Sequence, residues 1–245
     1  MLQMILLAAL SLGAVSSAVA EQDWFVRAGS EGGDGSQSKP FNDPWQALEK
    51  CQAGDRIHLA EGRYFGRLGV GMWEIPFDRL SLLGGYTADF SQRNPWAHPS
   101  QLLWEKDSKN RPNEARLLVR GKEVVIDGIT IDMRSHNEYV DPQESGRTER
   151  NIDYAAISLL QPSTVRNCVI VNPGQECVVT PSGSTIENNL FVNALVFAVK
   201  VNGSDPKAVA LIKDNTILFT WDVKSPGKGS FRGSGIYLGQ RARCV

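Results

Sequence analysis

Lys200 stands in the alternating segment Val199-Lys200-Val201-Asn202, where a strand period puts its amine on the face opposite the two valines. An amine so placed can act as a general base or as the counter-charge of a carboxylate. Tyr237 holds the matching place in Gly235-Ile236-Tyr237-Leu238, and its ring can stack on the face of a ring-shaped ligand. Two polar stretches carry more groups of these kinds. Arg134 to Asp153 offers His136, Glu138, Tyr139, Asp141, Glu144, Arg147 and Glu149, and Trp221 to Gly233 offers Trp221, Asp222, Lys224, Lys228 and Arg232. Lys200 is the candidate catalytic residue; Tyr237, Trp221, His136, Tyr139 and Arg147 are the candidate substrate-binding residues. Against this stands the plainer reading of Lys200 as a solvated strand residue.

Metal and nucleophile chemistry have thinner support. Asp127 and Asp132 could join Asp141 or Glu144 around Ca²⁺, which takes several oxygen ligands. They equally suit the corners and loops of a solvated face, and the identity of any metal stays open. His58, His98 and His136 have no ligand spacing, and His58 lies inside a strand-like run, where a structural role is expected. Asp55 and Asp127 do not form the paired carboxylates of a glycoside hydrolase. Cys51, Cys168, Cys177 and Cys244 lack the CxxC spacing of a metal or redox motif. They allow three full disulfide pairings, while Cys168 and Cys177 also suit small buried apolar positions.

The elements that must position these residues announce themselves by repetition. Ile126-Asp127-Gly128-Ile129-Thr130-Ile131 is echoed by Val165-Arg166-Asn167-Cys168-Val169-Ile170, by Ile186-Glu187-Asn188-Asn189-Leu190-Phe191 and by Ile212-Lys213-Asp214-Asn215-Thr216-Ile217. Each copy reads as strand, sharp corner, strand. The copies begin at 126, 165, 186 and 212, at intervals of 39, 21 and 26, so the unit is set by the shortest interval. The longest interval holds Arg134 to Asp153, and Trp221 to Gly233 follows the fourth copy; the two polar stretches are inserted at one point of the repeat and expected on one side of the molecule. Ile157 and Leu159, Cys177 and Val179, Val199 and Val201, and Ile236 and Leu238 are expected to point inward. Ser158, Val178, Lys200 and Tyr237 are expected to point outward, with Asn167, Asn188 and Asp214 stacked at a left-handed corner.

The remainder of the chain brackets this series. Residues 1–20 carry an apolar run and the small-x-small pattern Ala18-Val19-Ala20, the signature of a cleaved export signal, although no Lys or Arg precedes the run. A secreted or periplasmic location is expected, with no membrane span after cleavage. Residues 21–54 are expected to form a strand and a capping helix. The helix starts with Asn42 or Asp43 as N-cap and Pro44 at its first position, and runs for ~10 residues to Gly54. Residues 55–245 hold the repeating strands. Of the 245 residues, 26 are basic and 27 acidic, a net charge of −1, which gives no ground for a nucleic-acid partner.

The opening of the mature chain carries a family resemblance. Phe25-Val26-Arg27-Ala28-Gly29, Gly33-Asp34-Gly35-Ser36, Lys39-Pro40-Phe41, Ala47-Leu48, Ala53-Gly54-Asp55-Arg56-Ile57 and Gly62-Arg63-Tyr64 resemble the N-terminal cap and first coil of the exported pectate-lyase-like β-helix superfamily. Gly84-Gly85-Tyr86 with Asn94-Pro95 is similar to its bacterial members. The resemblance implies an all-β fold, a single-stranded right-handed parallel β-helix with a short N-terminal capping helix. It also implies an acidic polysaccharide or cell-surface glycan as partner, bound by a monomer and modified, on the leading enzymatic reading, by lyase β-elimination. The alternative it carries is a non-catalytic surface or envelope protein. The hydrolase signatures Asn-Thr-Asp, Gly-His-Gly and Arg-Ile-Lys are absent, and Val125-Ile126-Asp127-Gly128 lacks the Trp and His of the corresponding lyase phrase. Gly235 to Gln240 reads as the first strand of another coil, from which a longer protein with further coils is expected.

Overall fold

The computed structural model describes residues 20–66, 72–103, 116–133, 155–203, 205, 207–220, 223–225, 229–231 and 233–245. Three parallel sheets account for almost all of the regular structure. The first contains Asp23–Val26, Arg56–Ala60, Ser81–Tyr86, Val125–Asp127, Thr164–Arg166, Thr185–Glu187 and Leu211–Lys213. The second contains Gly62–Phe65, Ser100–Leu103, Ile129–Asp132, Val169–Val171, Leu190–Ala194 and Thr216–Thr220. The third contains Trp73–Ile75, Leu117–Val119, Ile157–Leu159, Val178–Pro181, Phe197–Asn202 and Ser234–Leu238. From Arg56 onward, successive strands enter the three sheets in rotation, except Val223–Ser225 and Gly229–Phe231, which pair with each other in antiparallel fashion. Hydrogen-bonded neighbours are therefore one three-strand period apart in sequence.

Apolar side chains explain this register. Ile57, Leu82, Ile126, Val165, Ile186 and Ile212 occupy paired positions across the first sheet. Ile131, Ile170, Phe191 and Ile217 do so in the second. Trp73, Leu117, Ile157, Val178 and Val199 do so in the third. Each joins or packs against one continuous core. A slip of one residue in any strand would turn this column out to solvent and lose ~2 kcal/mol per side chain.

The corners follow the repeated phrase. Gly128, Asn167, Asn188 and Asp214 all have positive φ, as expected of its third position. The Asn188 amide donates to Asn167 Oδ1 at 2.7 Å, and the Asn167 amide donates to Asp127 Oδ1 at 2.8 Å. The fourth position faces inward. Asn189, 2% exposed, accepts from the Cys168 N–H and donates to Val165 O and Asn215 Oδ1. A second amide column follows the second sheet: Asn193 donates to Asn172, which donates to Asp132.

Two expectations about local structure are corrected. The helix spans only Pro44–Leu48, capped by the Asp43 side chain on Trp45 N and by a reciprocal Gln46 bond. The buried Asp55 carboxylate takes the N–H groups of Gln22 and Gln52 and the Trp24 indole, drawing the chain out of the helix early. In the third sheet, Val178 and Thr180 point inward and Val179 outward, opposite to the phase expected. Cys177 is buried as well, and the run Glu176–Val178 breaks the alternation just before the strand. Thr180 tolerates its inward place by donating its hydroxyl to Pro181 O.

Candidate functional site

The outer face of the third sheet brings two of the candidate residues together. Lys200 lies between Val179 and Tyr237 in register. The Tyr237 ring stacks on Phe197 with centroids 4.5 Å apart and planes 17° from parallel. Tyr237 is 43% exposed, whereas Phe197 is buried at 8%, so the pair presents one anchored aromatic surface. An anchored ring loses little conformational freedom when a second ring system stacks on it.

Lys200 is not a bare amine. Its Nζ lies 3.3 Å from Glu176 Oε1, and Glu176 is 4% exposed. A buried carboxylate requires a paired cation, so Lys200 serves as a fixed counter-charge with one side open to solvent. That weakens the case for Lys200 as a base and strengthens the case for it as an anion contact. Glu176 escaped the sequence reading because it precedes its strand by two residues and pairs with a lysine one period away. His136, Tyr139, Arg147 and Trp221 lie outside the described residues. So do Asp141 and Glu144, the other candidate Ca²⁺ ligands. The two insertions do share one position: both fall between a second-sheet strand and a third-sheet strand.

The first sheet has a different outer face. Leu83, Asp127, Arg166, Glu187 and Lys213 are paired along one column. Arg166 Nε meets Asp127 at 2.7 Å, and Lys213 meets Glu187 at 3.1 Å. Burial pushes the Asp127 carboxyl up, but hydrogen bonds from Arg93, Asn167 and Arg166 outweigh it and hold the pKa below the usual range. With its oxygens taken by these donors, Asp127 is a structural carboxylate rather than a cation ligand. Asp132 accepts from Asn172. Among the described residues, no three His, Cys, Asp or Glu side chains converge as a metal site.

His58 lies farther along this face. Its Nε2 is 2.8 Å from Asp23 Oδ1 and its Nδ1 is 3.0 Å from the Tyr86 hydroxyl. The ring stacks on Phe25 at 4.7 Å. Burial lowers its pKa against the opposing pull of Asp23. Together these contacts tie the first strand to its neighbours, the structural role expected of His58. The four cysteines are unbridged, and burial pushes the Cys51 and Cys168 thiols up to about 12.

No family model matches the chain, and no solved structure matches it. A stretch of 115 residues is 29% identical to leucine–tRNA ligase of Ralstonia pickettii (strain 12J), covering 42% of this chain and 13% of the ligase. A stretch of 97 residues is 32% identical to leucine–tRNA ligase of Acinetobacter baylyi, covering 36% of this chain and 11% of that enzyme. The chain thus spans a small part of the length of the curated relatives it matches. No helix among the described residues is long and apolar enough to cross a membrane.

Proposed function

We infer that the chain is an exported right-handed parallel β-helix of the pectate-lyase-like type that binds an acidic polysaccharide along the outer face of its third sheet. The rotation of strands through three parallel sheets supports the β-helix reading. The functional reading is carried by one observation: Lys200 sits in register beside Tyr237, whose ring is stacked on Phe197. A uronate residue has a ring face for the aromatic surface and a carboxylate for the ammonium. The Glu176 pair favours binding over proton abstraction by Lys200.

The test uses the pair Lys200→Met with Glu176→Gln, which removes the cation without stranding a buried carboxylate. Isothermal titration of the wild type with oligogalacturonate and oligomannuronate is expected to show binding to at least one, and none to neutral cello-oligosaccharides. The double variant is expected to bind ~10-fold more weakly while keeping its melting temperature within a few degrees. Equal binding of neutral and acidic chains, or unchanged affinity in the double variant, would overturn the assignment. Absorbance of unsaturated products in the same samples separates binding from β-elimination.

A further inference from the structure

At the opposite end of the third sheet, a cavity of about 300 Å³ lies between the short helix and the strand Trp73–Ile75. Its lining is Trp45, Leu48, Glu49, Glu74, Pro76 and Phe77. The volume is at the lower end of the range for small-molecule sites, ~300–1,000 Å³.

Its chemistry is one-sided. Among the described residues, the lining side chains other than the two carboxylates are apolar or aromatic. The neighbouring cation, Lys50, is directed over the Phe41 ring at 5.9 Å. Glu74 accepts from Arg120 Nε at 2.6 Å and so is largely neutralised. Glu49 caps the helix C-terminus and is exposed. Trp45 is rigidly placed: its ring stacks on the buried Trp73 ring at 5.1 Å, with planes 6° apart. The indole N–H groups of both rings are buried without a hydrogen-bond partner. The polar edge of Trp45 is therefore turned away from solvent, while the residue lines the cavity. Such a lining beside the free Glu49 carboxylate attracts organic cations, which lose little hydration on entering an aromatic site.

We propose that this cavity binds a small alkylammonium compound, with its methyl or methylene groups against Trp45, Leu48 and Phe77 and its positive charge facing Glu49. The occupant is a free small molecule rather than a lysine of a partner protein, since the cavity is sized for one compact group. This site is independent of the glycan face and survives or fails separately from it.

The test is isothermal titration of the full chain with choline and with dimethylbutanol, its uncharged carbon isostere. Choline is expected to bind at least ~10-fold more tightly than the alcohol. Glu49→Gln, at an exposed position that leaves the fold intact, is expected to weaken choline several-fold and to remove most of the dependence on ionic strength. Phe77→Leu is expected to weaken it by about 10-fold. Absence of choline binding, equal affinity for choline and dimethylbutanol, or unchanged choline affinity in Glu49→Gln would overturn the proposal.

Discussion

Asn189 serves three neighbours at once, receiving the Cys168 N–H and donating to Val165 O and Asn215 Oδ1 in a buried setting. Replacing it with Ala strands those groups away from water, and urea denaturation should register a loss of about 3 kcal/mol. Asn188, one residue earlier, occupies a positive-φ corner and donates once, to Asn167. Asn188→Gly keeps the corner accessible and should cost less than about 1 kcal/mol in the same measurement. His58 supplies a pH dependence. Its folded pKa lies below the ordinary 6.5, so the unfolded chain binds its proton more readily. Stability is complete above about pH 6.5 and falls as the pH drops below it. Melting temperature should therefore decline from about pH 7 to about pH 5, and His58→Gln should flatten that decline. Asn167, Asn188 and Asp214 could be assigned to the corner from sequence because a short polar side chain and a left-handed backbone are local properties. The Glu176–Lys200 pair could not, because its partners are 24 residues apart and meet only through the pairing of strands.

At the scale of elements, the one corner of the four that carries Gly has a steric cause. A Cβ on Gly128 would lie 2.7 Å from both Gly84 O and the Pro95 side chain. A Cβ on Gly84 would in turn lie 2.5 Å from Gly128 O. The chain approaches itself so closely here that the Asn or Asp found at the other corners does not fit. Gly128→Asn should destabilise by at least 2 kcal/mol, on the order expected for strain in a packed site, as read from thermal or chemical unfolding. The repeated phrase revealed the corner, while the contact between residues 44 apart explains its exception. The helix was legible at its start, where Asp43 and Pro44 act locally. Its early end was not, because Asp55 intervenes from seven residues beyond Leu48.

Across the whole molecule, the three parallel sheets share one core, yet their edges are not equally covered. Thr216–Thr220 and Ser234–Leu238 retain substantial exposure, with Leu218, Ile236 and Leu238 at 43–44%. The strands from Val125 to Val201 stack their inward side chains at or near full burial. Hydrogen exchange followed by mass spectrometry should show the strands after Leu211 exchanging first and those between Val125 and Val201 last. Exchange at equal rates along the chain would contradict this gradient. Strand rotation was legible from the repeated phrases because each copy marks the same passage from first to second sheet. The strands Gly62–Phe65 and Trp73–Ile75 carry no copy, and only their pairing identifies them.

One number recurs in all three sheets. Val165 pairs with Ile186, Ile170 with Phe191, and Val178 with Val199, each partner 21 positions further on. A stretch of that length can therefore be copied in tandem or excised with every later strand returning to its own sheet in phase. Each added copy would extend the stack by one strand spacing, ~4.8 Å, and reproduce the same corners and outer columns. Length in this architecture is an inheritable quantity, open to unequal recombination, that can change without redesign of the fold.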